Sequence, residues 1–206
     1  MKNCFLSFLV IIPLALVLCI NVSIAGEIHQ DVFTINNSTV GVTTLDEVQK
    51  MYGEAEMYRV SREDEANIAV CYSHSSNKEK YFLVFESSVM GSNKQITGLR
   101  LSYLLPSTNC MPTTADLSSS TTGNGVRLGQ SQKDFLKAFP VKFKRRNTEL
   151  FYEAVSQRKA TETELKRLRA TWPDEKQDYF DVTITIKANI KKNRLVDFHI
   201  QKIESY

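Results

Sequence analysis

Histidine is scarce in this chain: three in 206 residues, and none of them (His29, His74, His199) stands in His-x-His or His-Glu-x-x-His spacing. Without such spacing the sequence offers no zinc-type site. There is no Gly-x-Ser-x-Gly elbow, and the stretch from Gly123 to Gly129 lacks the Lys-Ser/Thr of a phosphate loop. Glu63-Asp64-Glu65 is a run of adjacent acids. It reads as a solvated face, since acid–base work needs two carboxyls in contrasting environments. No catalytic residue, metal ligand or cofactor site can be named, and the expectation is a chain that is not an enzyme.

Cysteine is also sparse. Two of the four, Cys4 and Cys19, fall in the first 25 residues. There Lys2 precedes an apolar stretch from Phe5 to Ile20, and Ser23-Ile24-Ala25 follows. This is the pattern of a secretory signal peptide over residues 1–25, cleaved after Ala25. Its apolar core is shorter than the ~20 residues of a spanning helix, and retention as an anchor is the alternative. Leu18 is too large to precede a lipid-modified Cys19. The expectation is a periplasmic or secreted protein with no stable membrane span after cleavage. Cys71 and Cys110 then remain as an isolated pair, most simply a disulfide in an oxidising compartment. Two free buried thiols are the alternative.

Charge is unevenly spread. Residues 26–125 hold seven Lys and Arg against twelve Asp and Glu; residues 126–206 hold eighteen against eleven. Either each half solvates itself, or the basic half faces the acidic half or an anionic partner. The division coincides with a repeat. Gly41-Val42-Thr43-Thr44-Leu45-Asp46 and Gly129-Gln130-Ser131-Gln132-Lys133-Asp134 each open an amphipathic helix. Thr43 and Ser131 are read as N-caps, with Asp46 and Asp134 three residues on. Leu45, Val48, Met51 and Tyr52 line the first helix, and Phe135, Leu136 and Phe139 the second. Gly53 and Pro140 stop them.

Strands are expected at 68–72, 81–85 and 96–103 in the first half, and at 150–155, 181–190 and 194–203 in the second, from period-two alternation. Thr161 with Glu164 starts a short inserted helix, 161–170, with Leu165 and Leu168 on one face. The segment 106–125 is rich in Ser, Thr and Gly and reads as a linker. The fold class is therefore α+β, with two tandem modules, each a capped helix packed on an antiparallel meander. Their bounds are 26–105 and 126–206.

These helix starts, the helix end at Tyr52-Gly53 and the meanders resemble the beta-lactamase-inhibitor-protein-like fold, shared by envelope lipoproteins of the BamE (SmpA/OmlA) type. The resemblance implies two units around a concave sheet and action by protein binding. It departs at Phe139-Pro140, which stands where the first copy has Tyr52-Gly53, and in having no lipobox.

Partner-binding candidates are Lys142, Lys144, Arg145 and Arg146, a basic run around Phe143, together with Trp172 and Tyr179 near a turn. The basic run suits an anionic glycan, or an edge strand guarded by charge. Export argues against nucleic acid. The function expected is a non-enzymatic binding or assembly protein of the bacterial cell envelope, acting on an envelope or secreted protein. Alternatives are a secreted hydrolase with an unrecognised site, and an inhibitor of a secreted enzyme that uses the hairpin loop at 73–80.

Overall fold

The structure, a computed structural model, describes residues 28, 30–62, 65–76, 79–88, 94–106, 109–174 and 176–205. The expected leader, His29, Glu63, Asp64 and residues 77–78 of the 73–80 hairpin lie outside the described residues. A 3-10 turn, Gln30–Phe33, precedes a small hairpin of β1 (Thr34–Ile35) and β2 (Ser38–Thr39). Helix α1 (Leu45–Tyr52) is followed by β3 (Tyr58–Arg62), β4 (Glu65–Ser76), β5 (Glu79–Ser88) and β6 (Ile96–Ser102). After β7 (Met111–Pro112) come α2 (Gln132–Lys137), β8 (Lys144–Arg146) and β9 (Glu149–Lys159). The last elements are α3 (Glu162–Thr171), β10 (Tyr179–Lys191) and β11 (Arg194–Ser205).

The fold is α+β and mostly antiparallel. One sheet runs in the order β3-β4-β5-β6-β11-β10-β9-β8, with β7 lying parallel to β4. Strands β6 and β11 pair from Gly98↔Gln201 to Ser102↔Asp197, so the two runs of strands meet in one continuous sheet. No helix among the described residues is long and apolar enough to cross a membrane.

Local chemistry sets the helix starts, with one shift from expectation. The cap of α1 is Thr44, not Thr43. Thr44 Oγ1 accepts from Glu47 N–H, and the Glu47 carboxylate accepts from Thr44 N–H at 2.8 Å. Glu47 is one methylene longer than Asp46 and so reaches back to the cap amide. Thr43 is buried, and its hydroxyl accepts from Thr39 N–H. Ser131 with Asp134, and Thr161 with Glu164, cap α2 and α3 as expected. Equivalent bonds precede α1 and α2. Gly41 N–H bonds Ile96 O, and Ile96 N–H bonds Thr43 O; Gly129 N–H bonds Leu195 O, and Leu195 N–H bonds Gln130 O. Both glycines take φ +79°, a conformation a side chain would strain.

Alternation divides the sheet into two faces. Val70, Phe85, Leu99, Ile200 and Ile186 form one row across β4, β5, β6, β11 and β10. They belong to the main core, which Leu45, Val48 and Tyr52 cover from α1 and Phe135 from α2, with Phe139 just beyond. Met51 and Leu136, expected on the apolar helix faces, are exposed because they sit at the margins of those stripes.

The segment 109–125, expected as a linker, is laid along the fold. Thr113 N–H bonds Ser73 O, and Asn36 Nδ2 donates to Ser120 Oγ at 2.7 Å. Leu117 enters the main core, and Thr122 Oγ1 accepts from Val126 N–H. Its hydroxyls thus serve as local backbone partners. Gly123 passes so close to Asp31 that a Cβ there would lie 2.8 Å from the Asp31 backbone oxygen.

Cys71 and Cys110 form a disulfide, with Cα atoms 4.6 Å apart and 39 residues of separation. It ties the start of this segment to β4. Loop-closure entropy assigns a bridge of that span about 3–4 kcal/mol. Replacing both cysteines by alanine is expected to lower unfolding stability by about that amount, read from urea denaturation. A loss below ~1 kcal/mol would mean that the packed segment, not the bridge, restrains the chain.

Candidate functional site

The side chains on the opposite face of the sheet are mainly polar, and among the described residues no helix is packed into its apolar cluster. That cluster, at the β4 side, consists of Ala69, Cys71, Phe82 and Val84, joined by Tyr58, Val60 and Cys110. The disulfide is therefore part of this face.

Toward the middle lies a charged group that bridges the β6–β11 seam. Arg100 stands opposite His199, and Ser102 opposite Asp197. Arg100 Nε donates to Asp197 Oδ1 at 2.6 Å, and Asn189 Nδ2 donates to Asp197 Oδ2 at 3.1 Å. Glu86 Oε2 lies 3.4 Å from His199 Nε2, an ion-pair distance without hydrogen-bond alignment. This contact spans β6 because the residue beneath it is Gly98. A Cβ at Gly98 would sit 3.3 Å from Glu86 Oε2 and 3.4 Å from His199 Nε2. Tyr58 lies close to the same charges. Burial and the neighbouring Glu86 push its phenol up to about 12 against the opposing pull of Arg100, so it stays a neutral donor.

His199 is only 6 % exposed although its neighbours in sequence are polar, because Glu86 and Arg100 reach it from other strands. His74, expected in a loop, is in β4 and half-buried, with Nε2 3.6 Å from Asp116.

At the far side the face becomes cationic and aromatic. Phe151 stands between Lys144 and Lys187 in register, with Lys187 Nζ 5.8 Å and the Arg146 guanidinium 6.0 Å from its ring. Lys144 and Arg146 thus join this face. Arg145 points to the other side, and its Nε donates to Asn147 O. Lys142 is exposed just before β8. Trp172 and Tyr179 are exposed but distant: Tyr179 pairs with Lys159, eight residues along β9 from Phe151, or about 27 Å at the usual strand rise. The structure does not bring the basic run and this aromatic pair together. Sequence reasoning did not single out Asp197, Glu86 or Arg100, because the strands that bring them together lie far apart in the chain.

A depression of about 620 Å³ on the helix-bearing face is lined by Arg158, Thr161, Glu164, Lys202 and Glu204. Arg158 donates to both oxygens of Glu164 at 2.7 and 2.9 Å, bonds Glu204 as well, and stacks 4.6 Å from the Phe180 ring. Both carboxylates here are committed to cations, which leaves neither as a free base. Ser102 Oγ accepts from Leu104 N–H. Among the described residues no group of three or more His, Cys, Asp and Glu is placed to hold a metal.

No protein-family model matches the chain, and no curated protein or solved structure is significantly similar to it.

Two outcomes follow from the charge geometry. Asp197 is nearly fully buried, so Asp197→Ala strands Arg100 and is expected to cost about 3 kcal/mol in urea unfolding. Asp197→Asn, which keeps a hydrogen-bond acceptor, should cost clearly less. The Arg158 hydrogen bonds hold the Glu164 carboxyl down to about 2, below its ordinary 4.5. Its contribution to docking α3 is complete above 4.5 and is lost as pH falls from there toward 2. The protection factors of α3 amides, from exchange rates corrected for the intrinsic pH dependence, should fall over that acid window and stay flat at neutral pH. Arg158→Met should weaken this pH dependence, leaving the part due to the Thr161 hydrogen bonds.

Proposed function

We propose that this is an exported, disulfide-bonded binding or assembly protein of the bacterial cell envelope, which engages another protein through the accessible end of the sheet's second face, around Phe151, Lys187 and Arg146. Export is supported by the leader pattern of residues 1–25 and by the disulfide, which is compatible with an oxidising compartment. Two tandem modules, 26–105 and 126–206, are supported by the equivalent bonds at Gly41 and Gly129 and by two antiparallel runs of strands meeting at β6 and β11. On this reading the fold is of the beta-lactamase-inhibitor-protein-like kind.

The observation that carries the function is the face itself. It grades from a buried, disulfide-linked apolar cluster through the buried Arg100–Asp197 pair and the Glu86–His199 contact to the accessible Lys187–Phe151–Arg146 group. Aromatic anchors beside Arg suit protein contact.

The test uses the mature chain from Gly26 to capture its partner from envelope extract, beside the double variant Phe151→Ser, Lys187→Glu. Loss of an aromatic anchor of this kind is worth ~2 kcal/mol, or about 30-fold in affinity. The variant is expected to lose the captured species by about that factor at an unchanged unfolding midpoint. Equal capture by both proteins would remove the assignment of this face.

A further inference from the structure

The two runs of strands differ in how they finish their outer edges. In the first, β3 covers β4 from Glu65 to Ala69, and β7 then covers Tyr72 and Ser73. In the second, β8 covers β9 only from Glu149 to Phe151. Among the described residues no strand pairs with the outer edge of β9 from Tyr152 to Arg158.

That edge is regular. Its register with β10 runs without a bulge from Lys159 to Glu149. Ala160 N–H bonds Asp178 O, and Ile190 N–H bonds Thr148 O, so the even-numbered residues turn their backbone groups toward β10. By antiparallel alternation, Glu153, Val155 and Gln157 turn theirs outward. Edges are usually blunted by Lys, Pro or a bulge, and residues 152–157 have none of these. At their centre Val155 is 68 % exposed. Before Lys144 the chain leaves the edge, as Phe143 packs against Phe135, Phe139 and Tyr152.

We infer that this edge pairs with the same edge of a second copy of the chain, antiparallel about a two-fold axis at Val155. The free stretch from Tyr152 to Arg158 has Val155 at its midpoint, as a two-fold requires, and the outward backbone groups of Val155 fall on the axis. The sequence is self-complementary in that register. Val155 meets the partner's Val155, Glu153 meets the partner's Gln157, and Ala154 meets the partner's Ser156. Tyr152 lies opposite the partner's Arg158, and Glu153 lies diagonal to the partner's Lys159. Within Tyr152–Arg158 no like charges stand directly opposite, and the pairing ends there because Lys144 of β8 already holds the place opposite Phe151. The interface is isologous, so it closes at a dimer and does not propagate. It uses the backbone of an edge, while the Val155 side chain stands on the same face as Phe151, so the copy number and not partner capture tests it.

The test uses the mature chain. Sedimentation velocity should show a mass that doubles with rising concentration, and Val155→Lys, which sets two lysines on the axis, should hold it at one copy. Hydrogen-bonded antiparallel partners have Cα atoms ~5.5 Å apart, within disulfide range, so Val155→Cys should form a covalent dimer at least about tenfold faster than Val42→Cys under the same oxidant. Val42 is a control of similar exposure, at 62 %, away from this edge. A single-copy mass at every concentration, with Val155→Cys no faster than Val42→Cys, would overturn the inference.

Discussion

The pairing of β6 with β11 is the constraint on which the rest of the structure depends. Five residues of each strand, Gly98–Ser102 and Asp197–Gln201, turn two separate runs of strands into one sheet. On the helix-bearing face the seam is sealed by Leu99, Leu101, Phe198 and Ile200, all buried in the main core. On the other face it is crossed by the Arg100–Asp197 ion pair and by the Glu86–His199 contact. A slip of one residue would exchange these two sets, placing charge in the core and leucine in water. Buried ion pairs are weak sources of net stability, but they penalise wrong registers heavily, because an unpaired buried charge is costly. The apolar side supplies the driving force and the charged side fixes the alignment.

The helices and connections are arranged around that seam. Gly41 and Gly129 each dock the chain before a helix onto the first residues of the two seam strands, through Ile96 and Leu195. Each helix is thus held beside the seam before its own apolar face is buried. The segment between the halves does not swing free. The disulfide fixes it at Cys110, Leu117 anchors it in the core, and Gly123 N–H bonds Asp31 O and Thr34 O at the N-terminal hairpin. The open face follows from this economy, since both helices and the connection contribute their apolar residues to a single core.

The strands of strong alternation were legible in sequence, and so were the three helices, because amphipathic period and hydroxyl caps are local signals. The cap of α1 was placed one residue early, since Thr43 and Thr44 differ only in which of Asp46 and Glu47 can reach back. Strands β3 and β7 were not legible, being short and held in extended form by their neighbours more than by their own pattern. The basic run was legible as an edge strand guarded by charge, and β8 ends the sheet there. Ser and Thr between 106 and 125 suggested a linker by composition alone; hydroxyls that solvate a mobile chain also bond backbone inside a packed one.

The sequence alone determined which residues alternate, where helices begin, and that Cys71 and Cys110 form the cysteine pair of the chain beyond residue 25. These depend on neighbours a few residues apart, or on simple count. Only the tertiary structure decided that the halves share one sheet, that Glu86 reaches His199 across Gly98, and that Lys144 and Arg146 meet Phe151 while Tyr179 pairs at the far end of β9. Some of those relations join strands more than a hundred residues apart. Their register is chosen by the balance of burial on one face against charge matching on the other, and no local pattern encodes that balance.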